Sequence, residues 1–110
     1  MTETILVTGA SKGIGAATAR RLARDGFDIV VHYHSDLAGA EAVRDDIIAL
    51  GRTARLIQFD IADRDATRTA IEADIADHGA PYGVILNAGL TRDGPFPALE
   101  DDDWDRVLHT

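Results

Sequence analysis

The sequence has no cysteine and only one lysine, and its basic residues are outnumbered by acidic ones. Without cysteine, the chain forms no disulfide and offers no thiolate to a metal ion. Lysine and arginine together number 11 against 19 aspartates and glutamates, so the formal net charge of the 110 residues is −8 at pH 7. Such a charge repels a phosphate backbone, and we therefore expect no nucleic-acid partner.

Long hydrophobic runs are also missing. No apolar stretch approaches the roughly 20 residues that a membrane-spanning helix needs. The N-terminus lacks the basic segment followed by an apolar run that marks a signal peptide, so we expect a cytoplasmic protein with no membrane partner. Hydrophobic residues make up 45% of the chain and charged residues 27%, which is typical of a folded globular domain.

Short β-branched runs alternate along the chain with longer segments of helical periodicity. Strands are predicted at residues 4–8, 28–33, 53–59 and 83–87, and helices at residues 13–25, 37–50, 64–78 and 100–109. Gly51 and Gly79 are placed to end the second and third helices. The apolar stripe of the second helix is predicted to be Leu37, Ala40, Val43, Ile47 and Leu50, and the inward positions of the third Ala70, Ile71, Ala73 and Ile75.

Strands separated by helices of this length run parallel and are joined by right-handed crossovers. Continuous apolar strands suit a sheet that is covered on both faces. The pattern therefore predicts an α/β fold, the N-terminal half of a Rossmann-like, doubly wound parallel sheet with strand order 3-2-1-4. We expect one such unit over residues 1–110, incomplete at its C-terminal end, because the helix at 100–109 has neither a stop signal nor a following strand.

The strongest motif is TGASKGIG, residues 8–15, between the first strand and the first helix. Gly9 permits the turn off the strand, Gly13 allows the backbone to approach a pyrophosphate, and Gly15 allows the helix to pack closely on the sheet. The spacing is not that of a Walker A loop, since Lys12 precedes its glycine. A phosphate-binding loop is favoured, and the alternative is a connecting turn that binds no ligand.

The end of the second strand bears on which dinucleotide fits. NAD-binding folds usually place an acidic residue there for the ribose 2′-hydroxyl. Here Tyr33 takes that position and is followed by His34 and Ser35, which can donate hydrogen bonds to a phosphate. Asp36 is expected to cap the second helix, with Ser35 as the rival cap. Together with Lys12 in the loop, this predicts NADP rather than NAD; for Lys12 the alternative is a solvated loop residue.

No metal site is predicted. We expect His32 and His34 to point to opposite faces of their strand and so not to form a metal-binding pair. The acidic run at residues 100–103 is expected to be favoured by the dipole of a helix N-terminus rather than to bind a cation.

Three segments together resemble one enzyme family: TGASKGIG, FDIAD after the third strand, and NAG after the fourth. The chain is similar to the short-chain dehydrogenase/reductase family, and NAGLTRDGPF and DDDWDRVLHT are similar to its β-ketoacyl-(acyl-carrier-protein) reductases. The resemblance covers all 110 residues but only about the first half of a typical member. It implies NADPH-dependent reduction of a ketone, a 3-oxoacyl thioester on acyl carrier protein, by a homo-oligomer.

The resemblance also implies contacts with the cofactor NADP(H), position by position. The implied residues are Gly9, Ser11, Lys12, Gly13, Ile14 and Gly15 in the loop, Asp60 and Ile61 at the adenine, and Asn87, Ala88 and Gly89 beside the adenosine ribose. Asp60 has the alternative role of a turn residue at a strand end. The family usually has two asparagines before its Ala-Gly, and Leu86 stands at the first, where we expect it to pack in the sheet.

The family's catalytic residues do not map onto this sequence. The family uses a Tyr that protonates the alkoxide, a Lys four residues later on the same helix face, a Ser and an Asn. Neither Tyr33 nor Tyr82 has a lysine four residues on. No catalytic residue is therefore assigned, and residues 1–110 alone are predicted to be inactive. A non-catalytic dinucleotide-binding module remains the alternative, while the TGxxxGxG spacing with NAG disfavours an adenosyl-ligand methyltransferase.

Overall fold

The computed structural model describes residues 3–87, which form four strands and three helices. In chain order these are β1 (Thr4–Val7), α1 (Gly13–Arg24), β2 (Asp28–Tyr33), α2 (Leu37–Ala49), β3 (Ala54–Gln58), α3 (Arg64–His78) and β4 (Gly83–Ile85). All seven were predicted, and their ends differ from the prediction by at most two residues. The predicted helix at 100–109 lies outside the described residues.

The four strands form one parallel sheet in the order β3-β2-β1-β4, which confirms the predicted 3-2-1-4 order. Val7 pairs with Val31 on one side and with Ile85 on the other. On β2 the pairing with β3 continues through His32 to Tyr33. The carboxyl ends of the strands therefore meet at one edge of the sheet, where the connecting loops converge.

Two apolar clusters cover the two faces of the sheet, because strand side chains alternate between faces. One face packs against α1 and α2, and its members are Ile5, Val7, Ala10, Ala16, Ala19, Ala23, Ile29, Val31, Ala40, Val43 and Ile47. The other faces α3, and its members are Leu6, Val30, Ile57, Phe59, Ile61 and Ile71. The small alanines of α1 let that helix lie close to the strands and fix the position of the loop that precedes it.

The predicted helix faces need three corrections. Leu37 and Leu50, at the two ends of the α2 segment, are exposed rather than part of its buried stripe. Ala73 is exposed, and Thr67 is buried instead. Thr67 lies four residues before Ile71, so the buried stripe of α3 follows the helical period through these positions and Ala73 falls outside it. Among the described residues, no helix is long and apolar enough to cross a bilayer.

Candidate functional site

A cavity of about 190 Å³ opens at the carboxyl edge of the sheet. It lies between the loop after β1, the end of β2 and the loop after β3. Its lining residues are Gly9, Ser11, Lys12, His32, Tyr33, His34, Ser35, Asp36, Asp60 and Ile61. Most of the site residues predicted from the sequence are thus brought together, although they come from three separate segments.

The glycine-rich loop has the backbone that its sequence predicts. Gly9 and Gly13 have φ angles of 62° and 64°, in the region that side chains disfavour. Gly15 is buried at the start of α1, and a Cβ added there would lie within 3.0 Å of the Gly9 carbonyl and the Asn87 amide nitrogen. Gly15 therefore allows α1 to pack directly on the loop and on the segment after β4.

The N-terminus of α1 is left open by the protein. Lys12 is the N-cap residue and makes no side-chain capping bond, and the first turn carries no acidic residue. By contrast, the carboxylates of Asp36 and Asp63 cap α2 and α3. The first N–H groups of a helix have no intrahelical partner and carry partial positive charge. An anion at the start of α1, beside the 76% exposed Ile14, would satisfy them.

The end of β2 contributes polar groups without a free carboxylate. Tyr33 is half-buried and packs against the first apolar cluster, while His34 and Ser35 are exposed. Asp36 accepts a hydrogen bond from the Gly39 N–H at 3.0 Å, so it caps α2 as predicted and Ser35 does not. Lys12 is exposed, and no acidic residue within 3–87 forms an ion pair with it.

Asp60 forms the strand-end turn that was the alternative considered for it. One carboxylate oxygen accepts from the Ala62 N–H at 2.9 Å, and the Asp60 carbonyl accepts from the Asp63 N–H at 2.8 Å, which makes a turn after β3. The other carboxylate oxygen lies 3.9 Å from Nε2 of His34. The neighbouring Ile61 is buried in the second apolar cluster and lines the cavity.

Asn87 fastens the segment after β4 to the glycine-rich loop. Its N–H donates to the Thr8 hydroxyl at 2.7 Å, and that hydroxyl donates to the Ile85 carbonyl at 3.1 Å. Its side-chain amide reaches the Gly9 carbonyl at 3.5 Å. Leu86 packs against the second apolar cluster, as expected. Ala88 and Gly89 lie outside the described residues.

The expectation that His32 and His34 point to opposite faces of their strand is wrong. The two side chains lie on the same side, because residues two apart in a strand share a face, and both line the cavity. Within residues 3–87, no group of three or more potential metal-ligating side chains is found.

Sequence reasoning missed two residues of the site. His32 is 2% exposed and accepts a hydrogen bond from the Gly9 N–H at Nδ1, 2.9 Å away. Burial lowers the pKa of His32. Gly39 lies where a Cβ would collide with the Ser11 carbonyl and the capping carboxylate of Asp36, so it lets the loop approach α2. A polar residue near the end of an otherwise apolar strand was the only sequence signal for His32, and no sequence signal pointed to Gly39.

Known proteins with similar sequences and structures point to one family. Residues 3–110 match the family model described as short chain dehydrogenase. The 3-oxoacyl-acyl-carrier-protein reductase FabG of Aggregatibacter actinomycetemcomitans is 58% identical over 110 residues, which are 100% of this chain and 46% of that protein. The chain thus spans about half the length of the curated relatives it matches.

Solved structures agree with this match. Acetoin dehydrogenase from Enterobacter cloacae has a TM-score of 0.76 at 37% identity, covering 98% of this chain and 44% of that one. A blue fluorescent protein from a metagenomic library, in complex with NADPH, has a TM-score of 0.74 at 41% identity, covering 96% of this chain and 43% of that one. Because the family model covers nearly the whole chain and the strand order and loop motifs agree with it, the chain belongs to the short-chain dehydrogenase family.

Proposed function

We propose that the protein binds NADP(H) in this cavity and that the whole protein is an NADPH-dependent ketone reductase. The observation that carries the proposal is the charge arrangement around the cavity. The uncapped start of α1 lies beside Lys12, and the end of β2 offers His34 and Ser35 while Asp36 is engaged with α2. A 2′-phosphate is an anion that such groups attract, whereas a carboxylate at the end of β2 would repel it.

Each group has a role in binding. The first turn of α1 and Gly13 would hold the pyrophosphate, and Lys12 would make a charge-assisted bond to the 2′-phosphate. Asp60 and Ile61 would contact the adenine, since the Asp60 oxygen directed at His34 is not used in the turn. When bound, the reduced nicotinamide supplies a hydride to the carbonyl carbon of the substrate.

The proposed substrate is a 3-oxoacyl thioester on acyl carrier protein. Support comes from the relative that is 58% identical and is named for that activity. Residues 1–110 would supply the cofactor-binding half, and the catalytic residues of the family are not among them. A full-length protein that binds no dinucleotide at all would contradict the proposal.

A cytoplasmic homo-oligomer is the proposed setting. Support for the homo-oligomer comes from the match to the short-chain dehydrogenase family, since the resemblance to that family implies one. Val84 and Leu86 are half-buried against the second apolar cluster.

Calorimetric titration of the full-length protein with NADPH and NADH tests the proposal. We expect tighter binding of NADPH, and a Lys12→Ala change should weaken NADPH selectively, by about 1–3 kcal/mol for one lost charge-assisted bond. Arg24→Ala is the matched control, because it removes one exposed positive charge at the far end of the same helix. Tighter binding of NADH, or equal losses for both cofactors in Lys12→Ala, would contradict the proposal.

Activity is tested separately, by NADPH oxidation with an acetoacetyl thioester. Turnover by the full-length protein is expected. Binding of NADPH without turnover of any ketone would support the non-catalytic binding module instead.

A further inference from the structure

His32 is the one buried titratable side chain within residues 3–87. It lies at the end of β2, one position past the last pairing of that strand with β1. Its ring stands 4.0 Å from the Phe59 ring, on the face of the sheet that packs against α3. None of the roles proposed above for cofactor contacts uses this side chain.

The ring and the backbone of His32 hold the start of the glycine-rich loop. The Gly9 N–H donates to Nδ1 at 2.9 Å, and the Ala10 N–H donates to the His32 carbonyl at 2.9 Å. On the other side of the ring, Nε2 lies 2.8 Å from the Phe59 carbonyl. Gly9 has already left the ladder of the sheet, so the imidazole supplies the acceptor that a strand would otherwise provide.

These two contacts permit only one protonation state. An N–H can only donate, so Nδ1 must carry a lone pair to accept from Gly9. A carbonyl can only accept, so Nε2 must carry the hydrogen that is donated to Phe59. The neutral Nε2–H tautomer satisfies both neighbours. A proton from solvent on Nδ1 would face the Gly9 N–H and replace an attraction by a repulsion.

We propose that His32 is a positioning residue of the dinucleotide site: its neutral form holds Gly9 and the phosphate loop in place, and protonation of Nδ1 releases Gly9 and weakens binding of the dinucleotide. The inference rests on the proposed function, because it requires the cavity to hold a dinucleotide. It goes beyond that function by coupling the affinity for the ligand to a side chain to which the proposed function assigns no contact with that ligand.

Burial and the charged groups around His32 set the pH range in which its protonation weakens dinucleotide binding. Burial is the largest influence and lowers the pKa of His32, and a positive charge on His34, directly after β2, lowers it further. Asp60, on the loop after β3, and the hydrogen bond to Phe59 raise it. Lys12 and Asp36 line the same cavity, from the loop after β1 and from the start of α2. The weakening is therefore expected below neutral pH.

The first experiment measures the Kd of NADPH between pH 5 and pH 8 for the full-length protein and its His32→Asn variant. An asparagine carbonyl can accept from the Gly9 N–H but does not titrate near neutral pH. We expect similar affinities at pH 8. As the pH falls, the Kd of the unsubstituted protein should rise more steeply than that of the variant, approaching about tenfold per pH unit below the pKa of His32.

Two controls separate His32 from other titrating groups. The ratio of the two Kd values at each pH cancels the titration of the NADPH phosphate. Because His34 is a second histidine that lines the same cavity, both proteins are compared again in a His34→Asn background. A third variant, His32→Leu, removes the acceptor and should weaken NADPH at least about tenfold at all pH values, with no additional pH dependence.

A second measurement does not depend on the cofactor. Imidazole nitrogen shifts in the NMR spectrum of the free protein should show the Nε2–H tautomer, and the Gly9 amide signal should shift with the titration of His32. An Nδ1–H tautomer, or a Gly9 signal that ignores this titration, would overturn the inference even if His32→Leu fails to fold.

The outcomes distinguish the two proposals. Identical pH dependence of NADPH binding in the unsubstituted protein and in His32→Asn would overturn the role of His32 while leaving the proposed function intact. Failure of the unsubstituted protein to bind NADPH at any pH, with the NMR contact present, would refute the proposed function and, with it, the coupling to ligand affinity.

Discussion

Replacing Gly15 by alanine tests whether α1 must touch the glycine-rich loop. In an open helical position this change stabilises a protein by about 0.5–1 kcal/mol, because glycine is the poorer helix former. At Gly15 the new Cβ would meet the Gly9 carbonyl carbon and oxygen and the Asn87 amide nitrogen, all within 3.0 Å. The amide can turn away, but the Gly9 backbone is held by His32 and can move only with the loop.

The expected net effect is destabilising. Overpacking of this kind costs about 1–3 kcal/mol. Subtracting the gain in helix propensity leaves a loss of up to about 2.5 kcal/mol in the free energy of unfolding. The displacement of Gly9 should also weaken NADPH binding, because the loop proposed to hold the pyrophosphate begins there.

Urea denaturation and calorimetric titration of full-length Gly15→Ala measure the two effects. Ala17→Gly is the matched control, since Ala17 is exposed two positions along the same helix and its change reports propensity alone. It should destabilise by about 0.5–1 kcal/mol and leave the Kd of NADPH unchanged. If Gly15→Ala were more stable than the unsubstituted protein and bound NADPH equally well, the close contact between α1 and the loop would be refuted.

Four further predictions concern the cavity, the pH, an ion pair and the isolated polypeptide. Ser35→Asp places a carboxylate at the end of β2, so it should weaken the binding of NADPH at least about tenfold more than the uncharged Ser35→Asn does, while the affinity for NADH changes little. Equal effects of the two variants in calorimetric titrations would count against the 2′-phosphate site. Because burial lowers the pKa of His32, the unfolded chain binds a proton at this side chain more readily than the folded protein does. The stability that the neutral ring contributes is therefore present above the ordinary histidine pKa and is lost as the pH falls through and below that value. His32→Asn should flatten this pH dependence of stability in urea titrations at pH 5–7, and an unchanged dependence would contradict the prediction. Arg55 and Asp74 form two hydrogen bonds of 2.8 and 2.7 Å between β3 and α3, and their side chains are only 29% and 15% exposed. A double-mutant cycle to alanine should therefore give a coupling free energy of about 1–2 kcal/mol. A coupling near zero would show that solvent screens the pair. The purified polypeptide 1–110 should not oxidise NADPH in the presence of an acetoacetyl thioester, and turnover comparable to that of the full-length protein would show that the family's proton donor is not required.

The sequence predicted those parts of the fold that depend on local pattern. The β-branched strand runs, the apolar period of α2 and the cap at Asp36 involve neighbours within a few positions, so they can be predicted directly from the sequence. The loop glycines could be predicted for the same reason, because each is required by a turn or by the helix that follows. Element ends were less certain, and β4 is two residues shorter than the strand predicted at residues 83–87.

The two site residues that could not be predicted from the sequence owe their roles to contacts between distant segments. Gly39 matters because the Ser11 carbonyl of another loop lies against it. His32 matters because Gly9 and Phe59, which are 23 residues before it and 27 residues after it, meet its two ring nitrogens. Periodicity places such residues on a face of a strand or a helix, but it does not identify which partner arrives there.

The hydrogen bond between Thr8 and Asn87 joins residues 79 positions apart and has a consequence for folding on the ribosome. β1 is an inner strand of the sheet, with β2 on one side and β4 on the other, yet it is synthesised first. Until β4 emerges, one edge of β1 stays open, and the Thr8 hydroxyl lacks both the Ile85 carbonyl and the Asn87 N–H. Closing such a long loop is slow and comes late. A nascent chain released only as far as α3 would therefore already carry the whole TGASKGIG segment but could not yet hold it in its final position.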